Sequence, residues 1–150
     1  MAEPDACSDL QLDHQLCFAL YSTSLLMTKF YKPLLTALNL TYPQYLVMMV
    51  LWEEDGLSAG TISQRLYTDT GSLTPVFKRL AREGLLERVR SERDERVVEL
   101  HLTEAGRALQ ERAREIPDCV VMASGQTFDE LHELKEQLET LRGRLKDAMP

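Results

Sequence analysis

The sequence predicts a mainly α fold with one small β element, an α+β chain. Three observations predict it. Apolar residues recur at helical spacing over most of the length, the period changes to two only between Leu86 and Leu102, and the last twenty residues carry a leucine every three or four positions. With 44% hydrophobic and 27% charged residues among 150, the chain can bury a core and suits one domain plus a helical extension.

The elements follow in order. From about Asp13 to Leu38, Leu16, Leu20, Met27, Tyr31, Leu34 and Leu38 share a helical face, which Asn39-Leu40 ends. Thr41-Tyr42-Pro43-Gln44 has the form of a capping box with proline in the first turn, so a second helix runs over about 43–54. It is apolar nearly all round, Trp52 included, which places it at the centre of a core. Ser58 is the N-cap expected for a short helix carrying Ile62 and Leu66. A polar break at Thr68–Gly71 precedes another helix, to about Glu83, with Leu73, Val76, Phe77 and Leu80 inward and Lys78, Arg79 and Arg82 outward. Gly84 closes it. The alternating stretches 86–90 and 97–102 then flank the charged Ser91–Arg96 and read as a β-hairpin. Thr103 caps a helix over Glu104–Glu115 that Pro117 interrupts, and Thr127-Phe128-Asp129-Glu130 opens the last helix. There Leu131, Leu134, Leu138, Leu141 and Leu145 form a heptad seam. Such seams at both ends exceed what the central core covers, so residues 13–54 and 103–147 are expected to form a dimerisation region around a winged helix-turn-helix over 55–102.

Composition excludes several classes. No run of 18 apolar residues exists, so a membrane helix is not expected, and the acidic start MAEPDACSDLQLDHQ is the reverse of a secretory signal. The expected location is the cytoplasm. Cys7, Cys17 and Cys119 are odd in number with no CxxC, and His14, His101 and His132 lie far apart, so neither a disulfide scaffold nor a metal site is expected, and no cofactor. The net charge is −7, but residues 60–100 alone carry +1, with seven arginines and one lysine. No Ser/His/Asp or phosphate-loop pattern appears.

The least acidic segment is the one that reads as helix-turn-helix plus wing. In that arrangement the second helix enters the major groove of double-stranded DNA and the wing tip reaches the backbone or minor groove. Thr70, Gly71, Ser72 and Thr74 offer hydroxyls and helix-start N–H groups, and Lys78 and Arg79 extend from the same face. At the wing, Arg93 and Arg96 sit at the tip, with Asp94 spaced to orient the Arg96 guanidinium. A dimer of such units implies a pseudo-palindromic operator.

These residues resemble the MarR family of dimeric bacterial repressors, through the winged helix and Asp94-Glu95-Arg96. Leu16-Cys17-Phe18-Ala19-Leu20-Tyr21-Ser22, Tyr31, Leu40-Thr41-Tyr42-Pro43-Gln44-Tyr45 and Leu73-Thr74-Pro75 are similar to its organic-hydroperoxide-sensing repressors (OhrR), from about Asp13 to the last helix. The resemblance implies that Cys17 is the peroxide sensor. It also implies that Tyr31 and Tyr42 of the partner subunit hydrogen-bond it, with Tyr21 serving the reduced state, and that Arg96 enters the minor groove. A peroxide-detoxification gene is the implied target.

A sensor thiol reacts as thiolate, yet no Lys or Arg lies within four residues of Cys17. Phenol donors and a helix start near Asp13 are the expected sources of activation. Apolar neighbours Leu16, Phe18 and Leu20 favour organic over hydrogen peroxide. Oxidation yields a sulfenic acid that condenses with a second thiol. Two-cysteine members of the family supply that thiol from the partner chain. Here Met122 stands where it is expected and Cys119 lies one turn earlier. The expectation is a Cys17–Cys119 intersubunit disulfide, with capping by a low-molecular-weight thiol as the alternative and Cys7 incidental. Two other readings stay open: a MarR-type repressor released by a non-covalent small aromatic ligand, and a thiol peroxidase, which would have no use for a winged helix.

Overall fold

The computed structural model describes residues 10–150, which form two compact units divided after Gln110. The first begins with a 3-10 turn at Leu12–His14, and Gln15 is extended (φ −89°, ψ 119°) before α1 runs over Leu16–Thr36. The helix expected from Asp13 to Leu38 is therefore shorter at both ends. Gln15 breaks it at the start. At the far end Asn39 takes the left-handed φ of 58°, and Leu40 N–H donates back to the Leu35 carbonyl at 3.0 Å. Asn tolerates that conformation, and the i to i−5 bond is the usual helix stop.

The capping box of α2 (Tyr42–Glu53) forms as the sequence predicts. Thr41 N–H donates to Gln44 Oε1 at 2.8 Å and Gln44 N–H to Thr41 Oγ1 at 3.4 Å. Val47, Met48, Val50 and Leu51 are buried, so α2 is the central helix of the core. Trp52 departs from the expected core position. It is half-buried, and its indole N–H donates to the Gly106 carbonyl at 2.9 Å.

Helix α3 (Ala59–Arg65) is capped by Ser58, and α4 (Thr70–Arg82) packs Leu73, Phe77 and Leu80 inward, with Val76 only half-buried. Gly84 follows α4 at φ 81°, the left-handed residue that lets the chain turn into the sheet. The hairpin gains a strand the pattern did not announce. β1 (Leu57–Ser58) pairs antiparallel with β3 (Val98–Leu102), which pairs with β2 (Leu86–Arg90), in the order β1-β3-β2. Two residues are too few for a period, and they become a strand only because β3 presents a free edge. Leu100, opposite Leu57 and Arg88, is fully buried in the middle of the sheet.

α5 (Glu104–Ala113) is capped by Thr103, whose Oγ1 accepts from Gly106 N–H at 3.1 Å and donates to the Gly84 carbonyl at 2.6 Å. In the second unit Pro117 does not merely end a helix. It sits in the first turn of α6 (Ile116–Ser124), where its missing N–H costs nothing. Gly125 (φ 67°) ends α6, and the Thr127–Glu130 capping box opens α7 (Phe128–Ala148). On α7, Leu131 and Leu141 are half-buried while Leu134, Leu138 and Leu145 are exposed. Among the described residues no helix is long and apolar enough to cross a membrane.

Candidate functional site

The start of α4 is built on Asp69, which the sequence reading passed over as part of a polar break. Its Oδ1 accepts from Ser72 N–H at 2.7 Å and its Oδ2 from the Ser72 hydroxyl at 3.0 Å. These bonds hold the Asp69 carboxyl below its usual range, so the cap is ionised. The expectation of free N–H groups here is corrected at Ser72, because an N-cap carboxylate satisfies them as soon as the helix forms. Thr74 likewise donates its hydroxyl to the Thr70 carbonyl at 2.9 Å. Thr70, Gly71, Ser72, Lys78 and Arg79 all remain exposed along one side of α4. Arg79 Nε reaches Glu83 at 3.5 Å, while Lys78 is in no ion pair among the described residues.

The wing turn closes on itself. Ser91 N–H donates to the Val97 carbonyl at 2.9 Å, and Val97 N–H to the Asp94 carbonyl at 2.9 Å. Asp94 then grips Arg96 three times: Oδ1 accepts from the backbone N–H at 3.0 Å and from Nε at 3.1 Å, and Oδ2 accepts from Nη2 at 3.3 Å. The Arg96 side chain is nevertheless 91% exposed. A fully solvated arginine held by a bidentate carboxylate is pre-ordered without being neutralised by burial, and its remaining donors face outward. Those bonds keep the Asp94 carboxyl below the usual range. Arg93 is exposed beside it.

Between α4 and the wing lies a cavity of about 360 Å³, lined in part by Ser58, Thr74, Arg88 and Arg96. Arg88 was not singled out from the sequence. Its alternation with Leu86 along β2 was the available signal, since that position opposite Leu100 carries charge and is exposed.

Asp55, two residues beyond the end of α2, joins three elements. Its Oδ1 accepts from Gly56 N–H and Leu102 N–H, both at 2.8 Å, and its Oδ2 pairs with Arg107 Nη2 at 2.7 Å. One carboxylate therefore ties α2, the end of β3 and α5 together. Its signal in the sequence was faint, an acid among acids at Glu53-Glu54-Asp55.

Because Gln15 breaks the chain, Cys17 falls at the second position of α1, in its first turn, and is exposed. Gln15 provides no side-chain cap. First-turn N–H groups and the helix dipole favour negative charge there. Tyr31 and Tyr42 do come together, with ring centroids 5.0 Å apart, and Tyr45 joins them at 6.1 Å and 6.3 Å. Tyr45 went unnoticed in the sequence as a site residue because a buried aromatic on an apolar helix looks like core. Burial first, then the neighbouring Tyr42 and Tyr45, pushes the Tyr31 phenol up to about 12, so it stays a protonated donor. Tyr21 is exposed and apart from this cluster, with no ring contact among the described residues.

Fourteen residues of continuous helix separate Cys17 from Tyr31, about 21 Å at the α-helical rise. No phenol of this cluster can reach the thiol of its own chain. Cys119 lies half-buried on α6 and Met122 is exposed. Cys7 lies outside the described residues. Among the described residues, no three His, Cys, Asp or Glu side chains form a metal-ligand set.

The chain is similar to known transcriptional regulators along most of its length. It matches the family model "Transcriptional regulator SarA/Rot" over residues 29–113. It is 48% identical over 132 residues to the organic hydroperoxide resistance transcriptional regulator of Bacillus subtilis (strain 168), covering 88% of this chain and 90% of that one. The structure of reduced AbfR bound to DNA superposes with a TM-score of 0.78 at 36% identity, covering 91% of this chain and 93% of that chain. Disulfide-formed AbfR gives 0.62 at 35% identity, covering 91% and 90%. AbfR is a protein of Staphylococcus epidermidis. Likeness of this extent, joined to a helix-turn-helix with an Arg96-bearing wing, leaves one assignment: the chain belongs to the MarR-type family of winged-helix transcriptional regulators, on the branch of the organic hydroperoxide regulators.

Proposed function

We propose that the protein is a dimeric DNA-binding repressor that senses organic hydroperoxides through oxidation of Cys17, releases its operator and so derepresses a peroxide-detoxification gene. The observation that carries this reading is the 48% identity, along about nine-tenths of both chains, to a regulator of organic hydroperoxide resistance. The geometry supports it independently. Cys17 is exposed, and about 21 Å of helical rise separates it from Tyr31 of its own chain, so a Tyr31–Tyr42 pair serving that thiol belongs to a second subunit. Leu16, Leu20, Met27 and Phe30 on α1 are exposed apolar side chains of the kind a partner covers.

The chemistry proceeds in two steps. The Cys17 thiolate attacks the terminal peroxide oxygen; the O–O bond breaks, the alkoxide takes a proton and leaves as the alcohol, and Cys17 becomes a sulfenic acid. A second thiol then attacks the sulfenic sulfur, forming a disulfide and releasing water. Cys119 of the partner chain is the proposed resolving thiol, with a low-molecular-weight thiol as the other route. Either product removes the thiolate that the phenols hold and shifts α1. Two α4 helices must meet half-sites about one DNA turn apart, roughly 34 Å, so a small change in their spacing loses much of the affinity.

The test is binding to the protein's own promoter at fixed salt, before and after one equivalent of cumene hydroperoxide. Wild type releases DNA and Cys17→Ser stays bound. If both stay bound, the redox reading is wrong.

A further inference from the structure

We propose that Trp52 is a positioning residue that carries the state of the sensor phenols to α4, through Tyr45 on one side and the Gly106 carbonyl on the other. This role rests on Cys17 being the sensor. Tyr45 and Trp52 lie seven residues apart on α2, two turns along one face. Their rings meet edge to face, with centroids 6.5 Å apart and planes at 70°. Tyr45 also meets both phenols of the pair, Tyr31 at 6.1 Å and Tyr42 at 6.3 Å. A continuous row of rings thus runs from the phenol pair to the far end of α2. Tyr45 is buried, so it cannot tilt in place: a close-packed interior transmits the displacement of one ring to the next.

Trp52 is where that row leaves α2. Its Nε1–H donates to the Gly106 carbonyl at 2.9 Å, 54 residues on, in the first turn of α5. Gly106 has no slack on its other side, since a Cβ there would stand 2.2 Å from the Leu85 carbonyl oxygen. Leu85 belongs to the turn that joins α4 to β2, so α5 rests backbone to backbone on the end of α4. Thr103 fastens the same joint: its N–H donates to the Leu85 carbonyl at 3.1 Å and its hydroxyl to the Gly84 carbonyl at 2.6 Å. A shift of the indole therefore reaches α4 through groups in direct contact, the kind of packed chain that carries coupling between sites. Asp55 also joins these elements, but it bonds Gly56, Leu102 and Arg107, none of them a ring of the cluster. Trp52 is the single tryptophan of the chain, so its emission reports on this joint alone.

The experiment compares full-length wild type with Trp52→Phe, before and after one equivalent of cumene hydroperoxide. Mass spectrometry follows Cys17 oxidation, fluorescence anisotropy gives operator affinity at fixed salt, and tryptophan emission of DNA-free wild type reports on the indole. Phenylalanine keeps a ring against Tyr45 and removes the N–H donor to Gly106. Expected in Trp52→Phe are Cys17 oxidation at the wild-type rate, wild-type affinity in the reduced state, and a loss of affinity on oxidation at least about tenfold smaller than in wild type. A residue that only stabilised the fold would lower the melting temperature and leave that ratio alone. Wild-type emission is expected to shift on oxidation, and emission of Cys17→Ser to stay constant. The emission arm needs no variant of Trp52, so it decides the matter even where Trp52→Phe misfolds. Equal release by oxidised Trp52→Phe and wild type, or constant wild-type emission while DNA is released, overturns this role of Trp52 and leaves the redox reading standing. Wild type that keeps its DNA once Cys17 is oxidised overturns the redox reading, and this role with it.

Discussion

Gly106→Ala is the sharpest probe of how this fold is held, because helix propensity and packing give opposite signs for it. Alanine in an unobstructed helix position is favoured over glycine by about 1 kcal/mol. At Gly106, however, a Cβ would stand 2.2 Å from the Leu85 carbonyl oxygen and 3.3 Å from Leu102 Cδ2. The first distance is more than about 1 Å short of ordinary contact. Since the obstacle is backbone, α5 must move away from the turn that joins α4 to β2. That overpacking costs about 1–3 kcal/mol. Two bonds lengthen with it: Thr103 N–H to the Leu85 carbonyl at 3.1 Å and Trp52 Nε1 to the Gly106 carbonyl at 2.9 Å. Each contributes about 1 kcal/mol. After subtracting the helix gain, the expected net loss is about 2–4 kcal/mol. Gly143 on α7 is the control, since a Cβ there meets nothing within 4 Å. Gly143→Ala is expected to stabilise by about 0.5–1 kcal/mol. The assay is urea unfolding followed by far-UV circular dichroism. A Gly106→Ala protein as stable as wild type, or both variants moving in the same direction, refutes the close-contact reasoning.

At the wing, Arg96→Ala is expected to weaken operator binding by about 1–3 kcal/mol, read by fluorescence anisotropy at fixed salt. Asp94→Asn separates positioning from charge: it removes a negative charge near DNA yet is expected to weaken binding, because Arg96 loses its bidentate partner. Tighter binding shows that net charge alone matters. Asp55→Ala strands the Leu102 N–H and the Arg107 guanidinium, with an expected loss of about 2–3 kcal/mol in thermal or urea unfolding. The Tyr31 phenol, raised to about 12 against an ordinary 10.0, binds its proton longer in the folded state than in the unfolded one. Its contribution is thus fully present below pH 10 and lost as the pH rises from 10 toward 12. Stability should fall across that window and fall less in Tyr31→Phe; an equal fall in both proteins counts against the cluster.

Much of the architecture was legible because it is local. Thr41, Ser58, Thr103 and Thr127 cap helices through bonds spanning three residues, and the period of two over 86–102 needs only neighbouring side chains to be seen. Asp94 and Arg96 are two residues apart, so their pairing could be read directly. What escaped the reading depends on partners far along the chain. β1 exists because β3 lies beside it, some forty residues away in sequence. The role of Asp55 appears only when Leu102 and Arg107 arrive. Tyr45 looked like core until α1 brought Tyr31 alongside it.

The start of α1 shows the division between the two kinds of information. Helical periodicity continues through Asp13 and His14, and nothing in the residue pattern announces the extended Gln15 that makes Cys17 a first-turn residue. By itself the sequence determined which segments are helical, where most of their caps lie, and that one charged hairpin stands in the middle of the chain. Tertiary structure alone decided that Asp55 joins the end of β3 to α5 and that Tyr31, Tyr42 and Tyr45 form one cluster. The physical reason is range. Caps and periods are written in residues a few positions apart, whereas burial, cavities and the surroundings of an ionisable group are sums over atoms that only the folded chain brings together.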